Sequence, residues 1–340
     1  MAAKAFITGL EGLHLTAREK DFLRAERPWG LILFARNCRE PDQIRDLIAD
    51  FRLHVGRPDA PVLIDQEGGQ VQRLKPPLWP AYPPGAAYGA LYLHDADLGL
   101  EVTRLGARLI ASDLHALGID VDCVPVLDVP AAGSHDVIGD RAYGATPEIV
   151  SALAREAALG LMDGGVLPVI KHIPGHGRAM ADSHLSLPRV DAPLGELEKI
   201  DFPPFRALAD MPLAMTAHIV YSALDSEPAT TSARIIEEVI RGAIGFDGCL
   251  MSDDLSMKAL SGDFAERTKA ALSAGCDLVL HCNGVFDEMT AVAGATPELS
   301  GIALQRTEAA LARRRMPEPF DVEAARAAFL EHLADVWSIA

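Results

Sequence analysis

What the chain is short of narrows it first. Its five cysteines in 340 residues (Cys38, Cys123, Cys249, Cys276 and Cys282) are scattered, odd in number and without a C-x-x-C pair. That spacing offers no disulfide frame and suits buried, reduced thiols. Basic residues are scarce too. Against 48 Asp and Glu stand 31 Lys and Arg, a formal charge of −17, and no basic patch is evident to meet nucleic acid or an anionic membrane. No stretch approaches the ~18 uninterrupted apolar residues of a membrane span. The N-terminal Met-Ala-Ala-Lys-Ala-Phe-Ile-Thr reaches Gly9 and Glu11 before an export-length apolar core could form. Low-complexity linkers and constant-period repeats are missing, as is a G-x-G-x-x-G after the first strand. These absences point to a cytoplasmic protein with no nucleic-acid or membrane partner; a monomer without a cofactor is expected.

What is there is an apolar, evenly mixed chain, 49% hydrophobic and 23% charged. Disorder is disfavoured by that composition. At this length about three quarters of the unfolded surface can be buried, in one large α/β domain or two ordinary ones. Short apolar runs bounded by Gly, Pro or Asp recur at Phe6–Thr8, Leu31–Phe34, Val62–Ile64, Ile119–Val126, Val166–Ile170, Leu213–Met215, Cys249–Met251 and Leu278–Leu280. They read as parallel strands covered on both faces. Helix signals fall between them. Thr16-Ala17-Arg18-Glu19 fits a capping box, Ile44, Leu47, Ile48 and Phe51 mark one face of a second helix, and Leu98, Val102, Leu105 and Leu109 mark a third that Gly118 would close. Thr146-Pro147-Glu148 is a cap, an N1 proline and a first-turn acid, and Gly164-Gly165 ends that helix. Eight strands alternating with helices predict an α/β fold, a single (β/α)₈ barrel spanning 1–340. The helical segment from about 297 to 340 (Leu304, Leu311, Ala324, Ala327, Phe329, Leu333) is expected on the barrel exterior; a doubly wound open sheet is the other topology considered.

Most strand runs stop at polar residues: Asp65-Gln66-Glu67 after Ile64, Asp128 after Leu127, Lys171-His172 after Ile170, Thr216-Ala217-His218 after Met215, Ser252-Asp253-Asp254 after Met251, and His281-Cys282-Asn283 after Leu280. One strand ending in Asp is ordinary turn chemistry. Six in register point to the C-terminal mouth of a barrel, where such enzymes do chemistry on a small-molecule substrate.

His172, His176 and His184 lie within thirteen residues and invite a metal reading. Pro174, Gly175 and Gly177 deny them the helix turn that H-x-x-x-H needs; a zinc site built on the loop stays open. The other reading is acid/base work. Asp182 and His184, two apart, share a side in extended chain, so the carboxylate can orient the imidazole and raise its basicity. The Gly- and Pro-rich loop around them could close over a substrate. Of Asp253 and Asp254, neighbours in a strand, only one is expected to face the mouth, and the other to serve structure, such as capping the next helix. Leu250 and Met251, both apolar, do not say which. The guanidiniums of Arg73 and Arg141, just beyond strand ends, suit hydroxyls, carboxylates or phosphates, or pairing with a mouth aspartate.

Lys-His-Ile-Pro-Gly-His-Gly at 171–177, with Asp-Ser-His at 182–184 and Leu-Pro at 187–188, resembles the signature of family three glycoside hydrolases, most similarly the bacterial cytoplasmic β-N-acetylglucosaminidases of peptidoglycan recycling. Supporting pieces are Leu-Ile-Leu-Phe-Ala-Arg-Asn at 31–37, Ile-Asp-Gln-Glu-Gly-Gly at 64–69 with Val71 and Arg73, Gly-Asp-Arg at 139–141, Met-Thr-Ala-His at 215–218, Met-Ser-Asp-Asp-Leu-Ser-Met at 251–257 and Ala-Gly-Cys-Asp at 274–277. The resemblance implies Asp253 as nucleophile, His184 as general acid/base with Asp182 as its partner, and Asp65, Arg73, Arg141, Lys171 and His172 as sugar-binding residues. It further implies retaining removal of terminal N-acetylglucosamine from muropeptides. A neutral base repels anions less than a carboxylate does, so phosphate in place of water as acceptor is an alternative, as is a metal-dependent barrel hydrolase on His172, His176 and His184. Residues 178–181 are a variable stretch of the loop. Ile173 and Asp140 stand where Phe and Glu are the family's frequent residues.

Overall fold

In the computed structural model, which describes residues 2–131, 133, 137–179 and 187–337, eight parallel strands close into a barrel in chain order. They are β1 (Lys4–Thr8), β2 (Pro28–Leu33), β3 (Val62–Ile64), β4 (Val121–Asp122), β5 (Leu167–Ile173), β6 (Leu213–Thr216), β7 (Cys249–Asp254) and β8 (Leu278–His281). Pairs such as Leu31↔Val62, Val121↔Leu167 and Val169↔Leu213 fix the register, and Phe6↔Val279 closes the ring. The chain is therefore an α/β (β/α)₈ barrel and not an open sheet.

Alternation along each strand explains the unbroken apolar runs. Ile7, Ile32, Leu63, Val121, Val169, Leu213, Met251 and Leu280 pack with one another in one cluster inside the ring. Their neighbours Phe6, Leu31, Leu33, Ile64, Ile170, Leu250 and Val279 belong to a second cluster, against the helices. Strands apolar on both faces cannot alternate with polar residues, which is why they read as continuous runs.

The first four helices are α1 (Ala17–Glu26), α2 (Pro41–Val55), α3 (Gly85–His94) and α4 (Ala96–His115). Thr16 and Glu19 form the capping box of α1, and Ile44, Leu47, Ile48 and Phe51 are the buried face of α2. Thr146 caps α5 (Pro147–Asp163), which Gly164 ends. Two expectations shift. The regular ladder of β4 ends at Asp122, and pairing goes on irregularly: the N–H groups of Val169 and Lys171 donate to the carbonyls of Val124 and Pro125, with a bridge from Val126 to Lys171, and Pro125 has no N–H of its own to give. Gly118 (φ 87) turns the chain two residues past Ala116, the cap of α4, and does not itself cap that helix.

Further helices include α6 (Phe202–Ala207), α7 (Ile235–Ile244), α8 (Phe264–Ala274), α9 (Phe286–Ala295), α10 (Gly301–Leu311) and α11 (Val322–Leu333). Leu299, Leu304, Ala310 and Leu311 join the interior cluster, so the α10 segment closes the barrel end opposite the mouth. Phe329 of α11 meets Tyr82 and Tyr88 on the outside. Among the described residues, no helix is long and apolar enough to cross a membrane.

Candidate active site

The C-terminal ends of β3, β5, β7 and β8 open on a cavity of about 140 Å³. Its apolar lining is Ile32, Phe34, Val71, Met215 and Leu280; its polar lining includes Asp65, Glu67, Arg73, Arg141, Lys171, His172, Asp253 and Asp254. Hollows of about 260 and 420 Å³ lie elsewhere, beside α4 and α10, but neither lies at the C-terminal ends of the strands.

Strand parity delivers these side chains. Leu63, Val169 and Met251 point into the ring, so Asp65, Lys171 and Asp253, two residues on, face the same interior. Lys171, 2% exposed, donates to Asp65 Oδ1 at 2.9 Å and to Glu67 Oε1 at 2.7 Å. Arg141 grips Glu67 with Nε and Nη2 at 2.9 and 2.8 Å, a bidentate fork. Arg73 Nη2 reaches Asp65 Oδ2 at 3.0 Å. Two carboxylates thus hold three cations. Burial alone would push both acids up, but the Lys171 and Arg73 charges hold Asp65 far below the usual carboxylate range, and Arg141 with Lys171 bring Glu67 down to about 2. Burial opposes the charge on Lys171, and Asp65 and Glu67 overcome it, raising its ammonium above the ordinary value. The cluster is ionised throughout the neutral range.

The loop that carries Asp65 and Glu67 is tied by its own middle residue. Gln66 accepts from the N–H groups of Arg73 and Leu74 through Oε1 and donates through Nε2 to the Leu74 carbonyl. Gly68 (φ 98) lets the chain pass Pro83, whose carbonyl oxygen lies 2.2 Å from where a Cβ would stand. Arg73 therefore sits beside Asp65 although eight residues separate them.

Both aspartates of β7 border the cavity. The register slips between Met251 and Asp254, and this irregularity turns Asp254 toward the mouth as well. Their surroundings differ. Asp254 Oδ1 accepts from the N–H of Ser256 and of Cys282 at 2.9 and 3.0 Å, and Oδ2 is engaged by Ser256 Oγ. It fastens the turn after β7 to the end of β8. It does not cap the next helix, which Asp263 caps. Asp253 Oδ1 accepts from the Asp254 N–H at 2.7 Å. Beneath them His218 Nε2 meets the Asp254 carbonyl at 3.0 Å and Nδ1 meets Thr230 Oγ1 at 2.7 Å.

The segment after β5 hangs on Asp128. This residue is fully buried and takes His172 Nδ1 at 2.7 Å on Oδ2, and the N–H groups of His172 and His176 at 3.3 and 2.6 Å on Oδ1. Burial raises an acid, but His172 outweighs it and keeps the Asp128 carboxyl below its ordinary value. An ionised Asp128 can only accept, so Nδ1 of His172 carries the hydrogen and Nε2 is the other nitrogen. His176 stacks edge-on against His172, with centroids 5.4 Å apart, and does not line the cavity. Burial and His172 push it down to about 4. Farther on, Arg178 pairs with Asp201 at 2.7 Å and Glu196 at 3.2 Å.

Of the site residues expected from sequence, Asp65, Arg73, Arg141, Lys171, His172 and Asp253 border this one cavity. Asp182 and His184 lie outside the described residues. Among the described residues no group of three His, Cys, Asp or Glu could hold a metal ion. Glu67, Asp128 and His218, which the strand ends place at the mouth without a role, also hold the site together. Glu67 stands two residues from Asp65 and so shares its face in extended chain, a signal that was readable. The reach of Asp128 back to two later backbone amides is a tertiary contact that no spacing announces.

The family model of the glycosyl hydrolase family 3 N terminal domain matches residues 5–314. A Beta-hexosaminidase of Alkalilimnicola ehrlichii is 43% identical over 279 residues, covering 81% of this chain and 79% of its own. One of Aromatoleum aromaticum is 36% identical over 317 residues, covering 92% and 88%. Among solved structures, NagZ from Neisseria gonorrhoeae in complex with N-trifluoroacetyl-D-glucosamine is 32% identical and superposes with a TM-score of 0.86 over 99% of this chain and 98% of that one. With its closed barrel and its ionised mouth, the chain belongs to glycosyl hydrolase family 3 and is a glycoside hydrolase.

Proposed function

We propose that the protein is an exo-acting, retaining β-N-acetylglucosaminidase that removes terminal N-acetylglucosamine from peptidoglycan-derived muropeptides, as a cytoplasmic monomer. The observation that carries the reading is the position of Asp253 in the same small cavity as the Asp65, Glu67, Lys171, Arg73 and Arg141 cluster. At about 140 Å³, that cavity falls well below the roughly 300–1,000 Å³ of drug-sized pockets and suits one terminal ring. The relatives named Beta-hexosaminidase and the gonococcal NagZ with its glucosamine derivative support the substrate class.

In this reading the ionised cluster binds the sugar hydroxyls. Asp65 accepts from them, Lys171 and Arg73 donate to them, and His172, with Nδ1 committed to Asp128, offers Nε2. The Asp253 carboxylate attacks the anomeric carbon as the glycosidic C–O bond breaks, and the imidazolium of His184 gives its proton to the leaving oxygen. The neutral imidazole, oriented by Asp182, then takes a proton from water. The water oxygen bonds to the anomeric carbon and Asp253 leaves as carboxylate.

An aryl N-acetyl-β-glucosaminide assay tests this. Asp253→Ala is expected to lose on the order of 10⁴-fold or more in kcat. His184→Ala should lose on the order of 10²–10⁴-fold, and less when the aryl leaving group needs no proton. Proton NMR should show the β-anomer as first product. Activity should survive chelation; its loss would favour the metal-dependent alternative. Wild-type turnover in Asp253→Ala would overturn the nucleophile assignment.

A further inference from the structure

One acid of the site's scaffold takes no part in the cluster of ion pairs. Asp122 ends β4, between Val121 and Cys123, both of the barrel-interior cluster, so its side chain lies on the other face of the strand. It is fully buried. Oδ1 accepts the N–H of Gln66 at 2.9 Å, and Gln66 is the residue between Asp65 and Glu67. Oδ2 has no hydrogen-bond partner among the described residues. A sealed carboxylate oxygen without a donor is among the costliest groups a fold can hold; adding a proton removes the charge and most of the cost.

The surroundings push the same way. Burial is the largest influence, and Asp65 and Glu67 add like charge from the loop after β3; the Gln66 N–H and Lys171 of β5 pull in the opposite direction. Tyr143 and Cys123 are also within its electrostatic reach, and both phenol and thiol are themselves driven upward by burial. The balance lifts Asp122 to about 8.

We propose that Asp122 is a positioning residue that serves the sugar-binding cluster as a protonated, neutral acid, and that its ionisation sets the alkaline limit of substrate binding. Neutral, it fixes the Gln66 amide and with it the spacing of Asp65 and Glu67. Ionised, it places a third negative charge behind those two and competes for the Lys171 ammonium that couples them. The proposed N-acetylglucosaminidase function is the reading on which the kinetic half of this rests.

The test compares wild type, Asp122→Asn, which keeps the acceptor and removes the titration, and Asp122→Val, which removes both. Infrared difference spectra of wild type against Asp122→Asn at pH 6.5, without substrate, should contain a protonated-carboxyl C=O band. On an aryl N-acetyl-β-glucosaminide whose leaving group needs no proton from His184, wild-type kcat/KM should fall above about pH 8, approaching tenfold per pH unit, through KM and not kcat. That fall should be absent from Asp122→Asn. At pH 6.5 the Asn variant should exceed the Val variant by about tenfold in kcat/KM, since Val leaves the Gln66 N–H unsatisfied. No protonated-carboxyl band, or the same alkaline fall in the Asn variant, would overturn the proposal. Because the band is read without substrate, failure of this inference is distinguishable from failure of the proposed function.

Discussion

At the scale of single residues, the site is a set of charges each held by an opposite one, and the consequences of removing either partner differ. Asp128 holds a ring nitrogen and two backbone amides at once. Asp128→Asn keeps an acceptor for the amides but turns an NH₂ toward Nδ1, which then must accept, reversing the tautomer of His172. The expected result is a loss of roughly 10–100-fold in kcat/KM with little change in unfolding free energy. Asp128→Ala orphans the donors and should also cost about 1–3 kcal/mol of stability, read by denaturant titration. Lys171→Met, which leaves Asp65 and Glu67 buried beside one another, should cost about 3–5 kcal/mol. Most of these residues were legible because parity and strand ends announce them. Asp253 could not be told from Asp254 by residue type alone, since both neighbours upstream are apolar. What distinguishes them is the bulge after Met251 and the amides of Ser256 and Cys282 that occupy Asp254.

Elements lock the site through close backbone approaches. Gly177 follows His176, and a Cβ there would stand 1.9 Å from the Val129 carbonyl oxygen, next to Asp128. Gly177→Ala must therefore part the segments that Asp128 joins, and is expected to cost about 1–3 kcal/mol and to lower kcat/KM along with it. The helix α3 went unread for a related reason. Its sequence Gly-Ala-Ala-Tyr-Gly-Ala-Leu-Tyr-Leu-His is apolar with no face, so no helical period stands out. Its glycines are there for contact: Cβ atoms at Gly85 and Gly89 would lie 2.3 and 2.1 Å from the carbonyls of Arg141 and Tyr143. α3 thereby seats the turn that presents Arg141 to Glu67. Apolarity alone makes 119–126 one continuous run and does not reveal that the ladder turns irregular around Pro125.

For the molecule as a whole, the buried ionisable groups set a direction for pH stability. His176 is pushed from 6.5 down to about 4, and His218 and His281 are lowered too, each chiefly by burial. The unfolded chain binds protons at these rings below about 6.5 that the folded one resists, at His176 until near 4, so each of them weakens the fold as pH drops below 6.5. Glu67, lowered from 4.5 to about 2, extends the loss below pH 4.5. In thermal melts, His176→Gln should lose less Tm than wild type between pH 6.5 and pH 4. Asp122 runs oppositely: raised from 3.8 to about 8, it favours the folded state at acid pH and weighs against it as pH climbs. The closed ring gives a last consequence. Asp65 and Asp253 belong to opposite arcs of the circle, β3 and β7, and meet only across its opening. A sugar that touches both acts as a clasp on the hoop: it binds only when all eight staves are in place. Ligand should therefore slow amide hydrogen exchange all round the barrel, in β1 as much as in β7, and not merely beside the pocket.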